Sequence, residues 1–301
     1  MDKCAPWLGT PARTIEVLQK YGFHFQKKYG QNFLIDPHVL EKIVRIAGIS
    51  EDDCVLEIGP GIGTLTQYLL YAAKHVCAVE IDAMLIPILA DTLSDWDNVT
   101  VIHEDILQTD IDAIIRQYNG GRPVKVVANL PYYITTPILM TLLEKRLPIS
   151  SVTVMVQKEV AQRMQAGPGT KDYGALSLAV QYYTEPHMEA IVPPNCFIPR
   201  PQVASAVIRL DCRQDSPFAV RDEALLFGLI RAAFGQRRKT LLNSLSNGLH
   251  LQGRAWQKEQ LREALQRCAL PEAVRGEALT LEQFISLADV LTDMHAPEGA
   301  V

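Results

Sequence analysis

No stretch of this chain approaches the roughly 18 uncharged apolar residues that a membrane span requires. The opening MDKCAPWLGTPARTIEVLQKYGF scatters its charges and lacks the basic-then-apolar layout of a secretory leader, so none is expected. The six cysteines, at positions 4, 54, 77, 196, 212 and 268, include no C-x-x-C. That spacing argues against a zinc site and against a disulfide framework. Cys54 and Cys77 fall inside apolar runs, where a thiol acts as a small hydrophobe. A reduced, cytoplasmic protein without a metal is the expectation. Net positive charge is also missing: the balance of −5 argues against a surface that binds nucleic acid throughout. Internal repeats and low-complexity segments are absent from the sequence.

What is present is a strong alternation. At 48% hydrophobic and 21% charged, a chain of 301 residues can bury a real core. Asp36-Pro37 reads as an N-cap followed by proline at the first helical position. CVLEIG (54–59) is a short apolar strand, followed by a helix over 64–73. HVCAVEI (75–81), VTVIHED (99–105), PVKVVANL and SVTVMVQKEV read as further strands, with helices from Asp82, near 110–118 and after Thr136. Such alternation means crossover units and a parallel sheet covered on both faces, the α/β class. ALSLAVQYY reads as a helix or buried segment. HMEAIVPPNCFIPRPQVASAVIRL reads as strand, proline-rich loop and strand, able to finish the sheet with an antiparallel pair. Beyond about residue 215 only helical patterns remain, at 222–234, 239–247, 256–267 and from Thr280, where Thr280-x-x-Gln283 matches a capping box. The expected division is an extension over 1–25, a catalytic domain over 26–215, a small all-helical domain over 216–295 and a tail over 296–301.

LEIGPGIGTL (56–65) sets Gly59, Gly61 and Gly63 at a strand-to-helix turn. Glycines there either tighten the turn or let the backbone approach a ligand, and the helix N-terminus offers free N–H groups. A dinucleotide fingerprint is excluded, because its third glycine would fall at Thr64. The spacing is instead E-x-G-x-G-x-G, led by Glu57. Glu80 closes the next strand, where a carboxylate suits ribose hydroxyls, and Glu104-Asp105 closes the third, where one suits an adenine amino group. Open sheets bind ligands at these carboxyl ends. The assembly resembles the class I S-adenosylmethionine-dependent methyltransferases, a Rossmann-like fold with a mostly parallel seven-stranded sheet. That resemblance implies S-adenosyl-L-methionine as cofactor, with the glycine loop on its methionine part, Glu80 on its ribose and Asp105 on its adenine.

The fourth strand closes on Asn129-Leu130-Pro131-Tyr132, which resembles the motif of methyltransferases acting on exocyclic amines of nucleobases. An adenine N6 is a poor nucleophile because its lone pair is delocalised into the ring. The Asn129 side-chain oxygen and the Leu130 carbonyl can accept its two N–H groups and stabilise the charge that develops on attack. Pro131 fixes the turn. Tyr132 supplies a face for stacking, a contact worth about 1–3 kcal/mol. Phe197, in FIPRPQVAS (197–205), reads by itself as packing, but paired with Asn129–Tyr132 it is expected to form the second face of a base sandwich and so to join the catalytic set.

The order KKYGQNFL (27–34), EIGPGIGTLT, VEID, HED, NLPYYITTP, GTKDYGALS, FIPRPQVAS and AAFGQRRKTLLNSL resembles one family, the KsgA-type dimethyladenosine transferases of small-subunit ribosomal RNA, over about residues 25–290. The resemblance implies that Asn32 and Leu34 contact the cofactor. It also implies N6,N6-dimethylation of two adjacent adenosines in a hairpin near the 3′ end of 16S rRNA, within the immature 30S subunit, at a cost of four cofactor molecules. Tyr133 departs from the asparagine that many members carry. Basic residues in two stretches, Lys27 and Lys28, then Arg231, Arg237, Arg238 and Lys239, are expected to meet RNA phosphates. A monomer is expected, with the apolar helix faces used internally. Two alternatives share these motifs: the macrolide-resistance type acting on 23S rRNA, and a non-catalytic assembly factor on the same fold. GTKDYGALS and FGQRRKTLLNSL favour the small-subunit reading over the first, and intact Asn129, Tyr132 and Phe197 speak against the second.

Overall fold

A computed structural model describes residues 5–26, 29–213, 218–250 and 256–294. The chain divides into two compact units, Met1–Ala161 with Thr184–Gln214, and Gln162–Tyr183 with Asp215–Val301. In the first, α1 (Pro11–Lys20) precedes β1 (Phe33–Leu34) and α2 (Pro37–Ala47). The alternating series follows: β2 (Cys54–Ile58), α3 (Thr64–Ala72), β3 (His75–Glu80), α4 (Ile86–Thr92), β4 (Val99–His103), α5 (Ile111–Asn119), β5 (Val124–Asn129) and α6 (Thr135–Glu144). The strands β6 (Ile149–Gln157), β7 (Thr184–Val192), β8 (Phe197–Ile198) and β9 (Ser205–Cys212) complete the unit.

Seven strands form one sheet in the order β4-β3-β2-β5-β6-β9-β7, and β1 pairs with β8 apart from it. β2 to β6 run parallel, while β9 lies antiparallel between β6 and β7. Every residue of β2 is buried, as expected of a strand covered on both faces. The sequence-predicted α/β architecture with an antiparallel finish is therefore the one observed. Asp36 caps α2 by accepting from the His38 and Val39 amides at 3.0 and 3.3 Å.

Several boundaries differ from the sequence reading, and two of the differences have a clear local cause. The fourth helix begins at Ile86, not Asp82, because Asp82 accepts the Met84 amide and closes a turn, and Pro87 then opens the helix. β6 stops at Gln157, and Lys158-Glu159-Val160 enter α7 (Lys158–Gln165), where Ala161 and Met164 are the buried positions three residues apart.

The N-terminal segment, which offered no motif, is integral to the first unit. Leu8, Val17 and Phe23 are buried with Phe33, Ile62 and Ile88. Gln67, itself fully buried, accepts the Trp7 and Leu8 amides at 2.9 and 3.0 Å and donates to the Thr92 carbonyl at 2.8 Å.

The second unit holds α8 (Ala175–Tyr183), α9 (Glu223–Gly235), α10 (Leu241–Gly248), α11 (Lys258–Arg267) and α12 (Leu281–Asp293). The helical body expected over 216–295 thus also takes in 162–183. Tyr173 explains this: it is 1% exposed, packs in one core with Leu229, Leu265 and Phe284, and donates its hydroxyl to the Leu279 carbonyl at 2.8 Å. The Thr280–Gln283 capping box is formed, with both reciprocal hydrogen bonds present. Among the described residues no helix is long and apolar enough to cross a membrane.

Candidate active site

The parallel strands β2 to β5 end at one edge of the sheet, so the residues just past them converge there. A cavity opens at this edge, walled on one side by the strand tips and on the other by residues 29–34. The glycine loop forms its floor. Gly59 takes a left-handed φ of +69°, and a Cβ built on it would meet no atom within 4 Å. The backbone is therefore open to a ligand at this point of the wall. Gly61 instead carries the Phe33 ring, which a Cβ would strike at 2.9 Å, and it donates its amide to Glu80 Oε2 at 3.1 Å. Glu80 Oε1 accepts the Asp82 amide at 2.8 Å. Burial raises the Glu80 pKa above the usual carboxylate range despite these bonds. Asp105, at the end of the β4 loop, accepts the Leu107 amide through Oδ1 at 3.0 Å.

Two polar atoms on this wall, Glu57 Oε2 and Thr64 Oγ1, are buried without a hydrogen-bond partner among the described residues. Burial above all, with Glu80 adding to it, pushes the Glu57 carboxyl up to about 8. Such orphans are costly in a folded protein, and these two belong to residues that line the cavity, where a bound molecule can supply the partner. Thr64 opens α3, whose N-cap Gly63 supplies no side-chain hydrogen bond, so this helix end keeps donors for an anion. The pair of acceptor and helix end suits a zwitterion, a cationic amine beside a carboxylate.

The β5 tip is braced by its opposite wall. Asn129 Nδ2 donates to the Asn32 carbonyl at 2.9 Å, and Asn32 Nδ2 donates to the Gly30 carbonyl at 2.9 Å. With its donor side engaged, Asn129 presents Oδ1 as an acceptor at the cavity wall. The Leu130 amide is bonded to the Met155 carbonyl at 3.2 Å, which orients the turn, and Thr135 and Ile134 both donate to the Pro131 carbonyl. Tyr132 is half-buried on the cavity, its hydroxyl 2.8 Å from Ser205 Oγ, and burial raises its pKa.

The structure brings Asn32, Leu34, Gly59, Gly61, Glu80, Asp105, Asn129, Leu130 and Tyr132 to one cavity. It does not bring Phe197 there. Phe197 is 3% exposed, pairs with Leu34 across β1 and β8, and packs among Leu40, Val207 and other core residues. As it stands, this ring supports the wall from behind and offers no face to a base. Lys27 and Lys28 lie outside the described residues. Arg237 donates Nε to Glu277 at 2.7 Å and Nη2 to the Thr170 carbonyl at 3.0 Å, so much of its guanidinium is engaged. Arg231, Arg238 and Lys239 are exposed and make no ion pair among the described residues. Tyr29, Gln31 and Ile106, none of them among the expected site residues, also line the cavity, and Asp82 is buried beside it. Asp82 carried a signal as the last residue of VEID, and Tyr29 and Gln31 as members of KKYGQNFL; Ile106 carried none.

A sequence profile described as ribosomal RNA adenine dimethylase matches residues 22–285. The chain is 63% identical over 288 residues to the ribosomal RNA small subunit methyltransferase A of Lachnoclostridium phytofermentans, covering 95% of this chain and 98% of that one. It is 54% identical to the protein of the same name from Alkaliphilus oremlandii, covering 94% and 98%. A crystal structure of a dimethyladenosine transferase from Plasmodium falciparum superposes with a TM-score of 0.70 at 25% identity, over 85% of this chain and 95% of that one. The 23S rRNA methyltransferase ErmE superposes with a TM-score of 0.63 at 26% identity, over 86% and 99%. With the profile spanning most of its length and relatives this similar end to end, the chain belongs to the ribosomal RNA adenine dimethylase family.

Proposed function

We propose that this protein transfers methyl groups from S-adenosyl-L-methionine to the N6 atoms of two adjacent adenosines in the 3′-terminal hairpin of 16S rRNA, within the immature 30S subunit. The observation that carries the reading is Asn129. Its amide is held by the Asn32 carbonyl, so its oxygen is an acceptor fixed at the wall of a cavity that also holds Glu57, Glu80 and Asp105.

The cavity residues fit the proposed cofactor. The unpartnered Glu57 Oε2 and the N-terminus of α3 suit the amine and carboxylate of its amino-acid part, Glu80 suits a ribose, and Asp105 suits an adenine amine. Bound there, S-adenosyl-L-methionine would supply a methyl group on a cationic sulfur, already activated toward attack. No strong base is then required of the protein, and positioning carries the chemistry. Asn129 Oδ1 and the Leu130 carbonyl accept the two N–H groups of the target amine, favouring a pyramidal nitrogen and stabilising its developing charge. Tyr132 stacks on the base. Phe197 sets the position of Leu34 from its place in the core. Arg231, Arg238 and Lys239, with Lys27 and Lys28, supply phosphate contacts, and Arg237 a weaker one, since Glu277 already holds it.

The test is mass spectrometry of nucleosides after incubation with labelled S-adenosyl-L-methionine and either immature 30S particles or naked 23S rRNA. N6,N6-dimethyladenosine is expected only from the 30S particles. Label only in 23S rRNA would assign the large-subunit activity instead, and no label in either would support a non-catalytic role.

A further inference from the structure

Asp82 is 2% exposed, yet it is neither a cavity residue nor half of an ion pair among the described residues. Its carboxylate is surrounded by amides. Gln31 Nε2 donates to Oδ2 at 2.8 Å, Gln26 Nε2 reaches Oδ1 and Oδ2 at 3.3 and 3.4 Å, and the Met84 amide donates to Oδ1 at 3.1 Å. The two glutamines are themselves joined, Gln31 Oε1 accepting the Gln26 amide at 3.3 Å. A buried carboxylate is retained at a cost unless its hydrogen bonds are needed, and bonds to a charged acceptor are the strong ones.

What these bonds connect gives them a purpose. On one side, Gln31 leads directly into Asn32, whose carbonyl braces Asn129, and into Phe33, which covers Gly61. On the other side, the Asp82 amide donates to Glu80 Oε1, and Glu80 Oε2 accepts from Gly61. Asp82 is thus the joint between the two walls of the cavity, reaching one through its side chain and the other through its backbone.

We infer that Asp82 is a positioning residue for the methyl donor: through Gln31 it holds the wall at residues 29–34 against the β3 tip, and it touches neither donor nor substrate. The inference rests on the reading that this cavity takes S-adenosyl-L-methionine. Asp82→Asn sets an amide donor against the donor of Gln31, and Gln31→Glu sets one carboxylate against another. Each breaks the joint. The double variant Asp82→Asn with Gln31→Glu restores a complementary pair with the donor and acceptor exchanged.

The experiment is calorimetric titration with S-adenosyl-L-methionine, together with backbone hydrogen exchange at residues 29–34 in the donor-free protein. Each single variant is expected to weaken donor binding about ten-fold, the loss of a hydrogen bond to a charged group. Each should also speed exchange across 29–34, and the double variant should reverse most of both effects. In turnover, the larger change should fall on KM for the donor and the smaller on kcat. Single variants with the binding and exchange of the unaltered protein would overturn the inference, as would a double variant no better than the worse single one. Should Asp82→Asn fail to fold, Gln31→Glu and Gln31→Met read the same hydrogen bond. Failure of the unaltered protein to bind the donor would refute the reading of the cavity instead, while the exchange measurement would still decide the role of Asp82.

Discussion

The two edges of the main sheet use the same kinds of residue to opposite ends. At the amino-terminal edge, Lys125 donates to Asp53 at 2.8 Å and to the Gly48 carbonyl at 2.6 Å. Arg209 donates to Asp211 and to the Ile46 carbonyl, each at 2.8 Å. The carbonyls at the end of α2 are capped by cations, as the helix dipole favours, and the charges are matched on the spot. Burial works against ionisation of Asp53, but hydrogen bonds from Lys125 and Ser50 outweigh it and hold the carboxyl below the usual range. At the carboxyl-terminal edge, Glu57 Oε2 and Thr64 Oγ1 are buried without a partner among the described residues, and the carboxyls of both Glu57 and Glu80 are pushed up. At the first edge the charged groups are matched within the fold. The other holds polar groups ready for a partner from outside, and it is there that the chemistry belongs.

Substitutions at the two edges should therefore separate stability from activity. Asn129→Ala should have the largest effect, lowering kcat by at least about a hundred-fold, as the loss of a transition-state acceptor does. Donor affinity measured by calorimetry should stay within several-fold, and its collapse would make Asn129 chiefly a brace for the wall. Glu57 offers a test by pH. Its folded carboxyl titrates near 8, above the usual 4.5, so the folded chain binds the extra proton between those values. Stability of the ligand-free protein should be greatest below about pH 4.5 on this account and decline as pH rises to 8, by roughly a few kcal/mol. Glu57→Gln should flatten that decline in chemical denaturation, and an unchanged slope would move the effect elsewhere.

Tyr132→Ala should weaken the RNA substrate by about 1–3 kcal/mol, and Tyr132→Phe by much less, if the ring supplies a stacking face. An equal loss in both would point to the Ser205 hydrogen bond. At the opposite edge, Lys125→Met should cost about 1–2 kcal/mol of stability while leaving donor affinity alone. A change in donor affinity would break the division between the edges. The smallest effect belongs to the exposed cations: neutralising Arg238 and Lys239 should reduce the salt slope of RNA binding by about one unit for each phosphate that these side chains neutralise. Arg237→Ala should show more in unfolding than in that slope.

Much of this was legible along the chain. The alternation of apolar runs with helical periods set the parallel half of the sheet, and Asp36-Pro37 and Thr280-x-x-Gln283 marked helix starts at the observed positions. Glu80 and Asn129 were recognisable because each closes a strand and Asp105 because it follows one closely, and parallel strands of one sheet end on the same side. Phe197 was not placed by the same logic. Its proline-rich surroundings suit an exposed loop, yet β8 pairs it with Leu34 and the core covers it. Arg237 reads as one of three consecutive cations, but Glu277 lies within its reach only after folding.

The sequence by itself determined which residues end each strand, where helices start and which family the chain resembles, because periodicity, caps and motifs are properties of neighbours along the chain. Tertiary structure alone decided which polar groups meet. It joined Tyr173 to Leu279, set Asn32 against Asn129, surrounded Asp82 with two glutamines and left Glu57 Oε2 without a partner among the described residues. Those pairings depend on positions brought close by the sheet, and burial then sets their strength by removing the water that would otherwise compete.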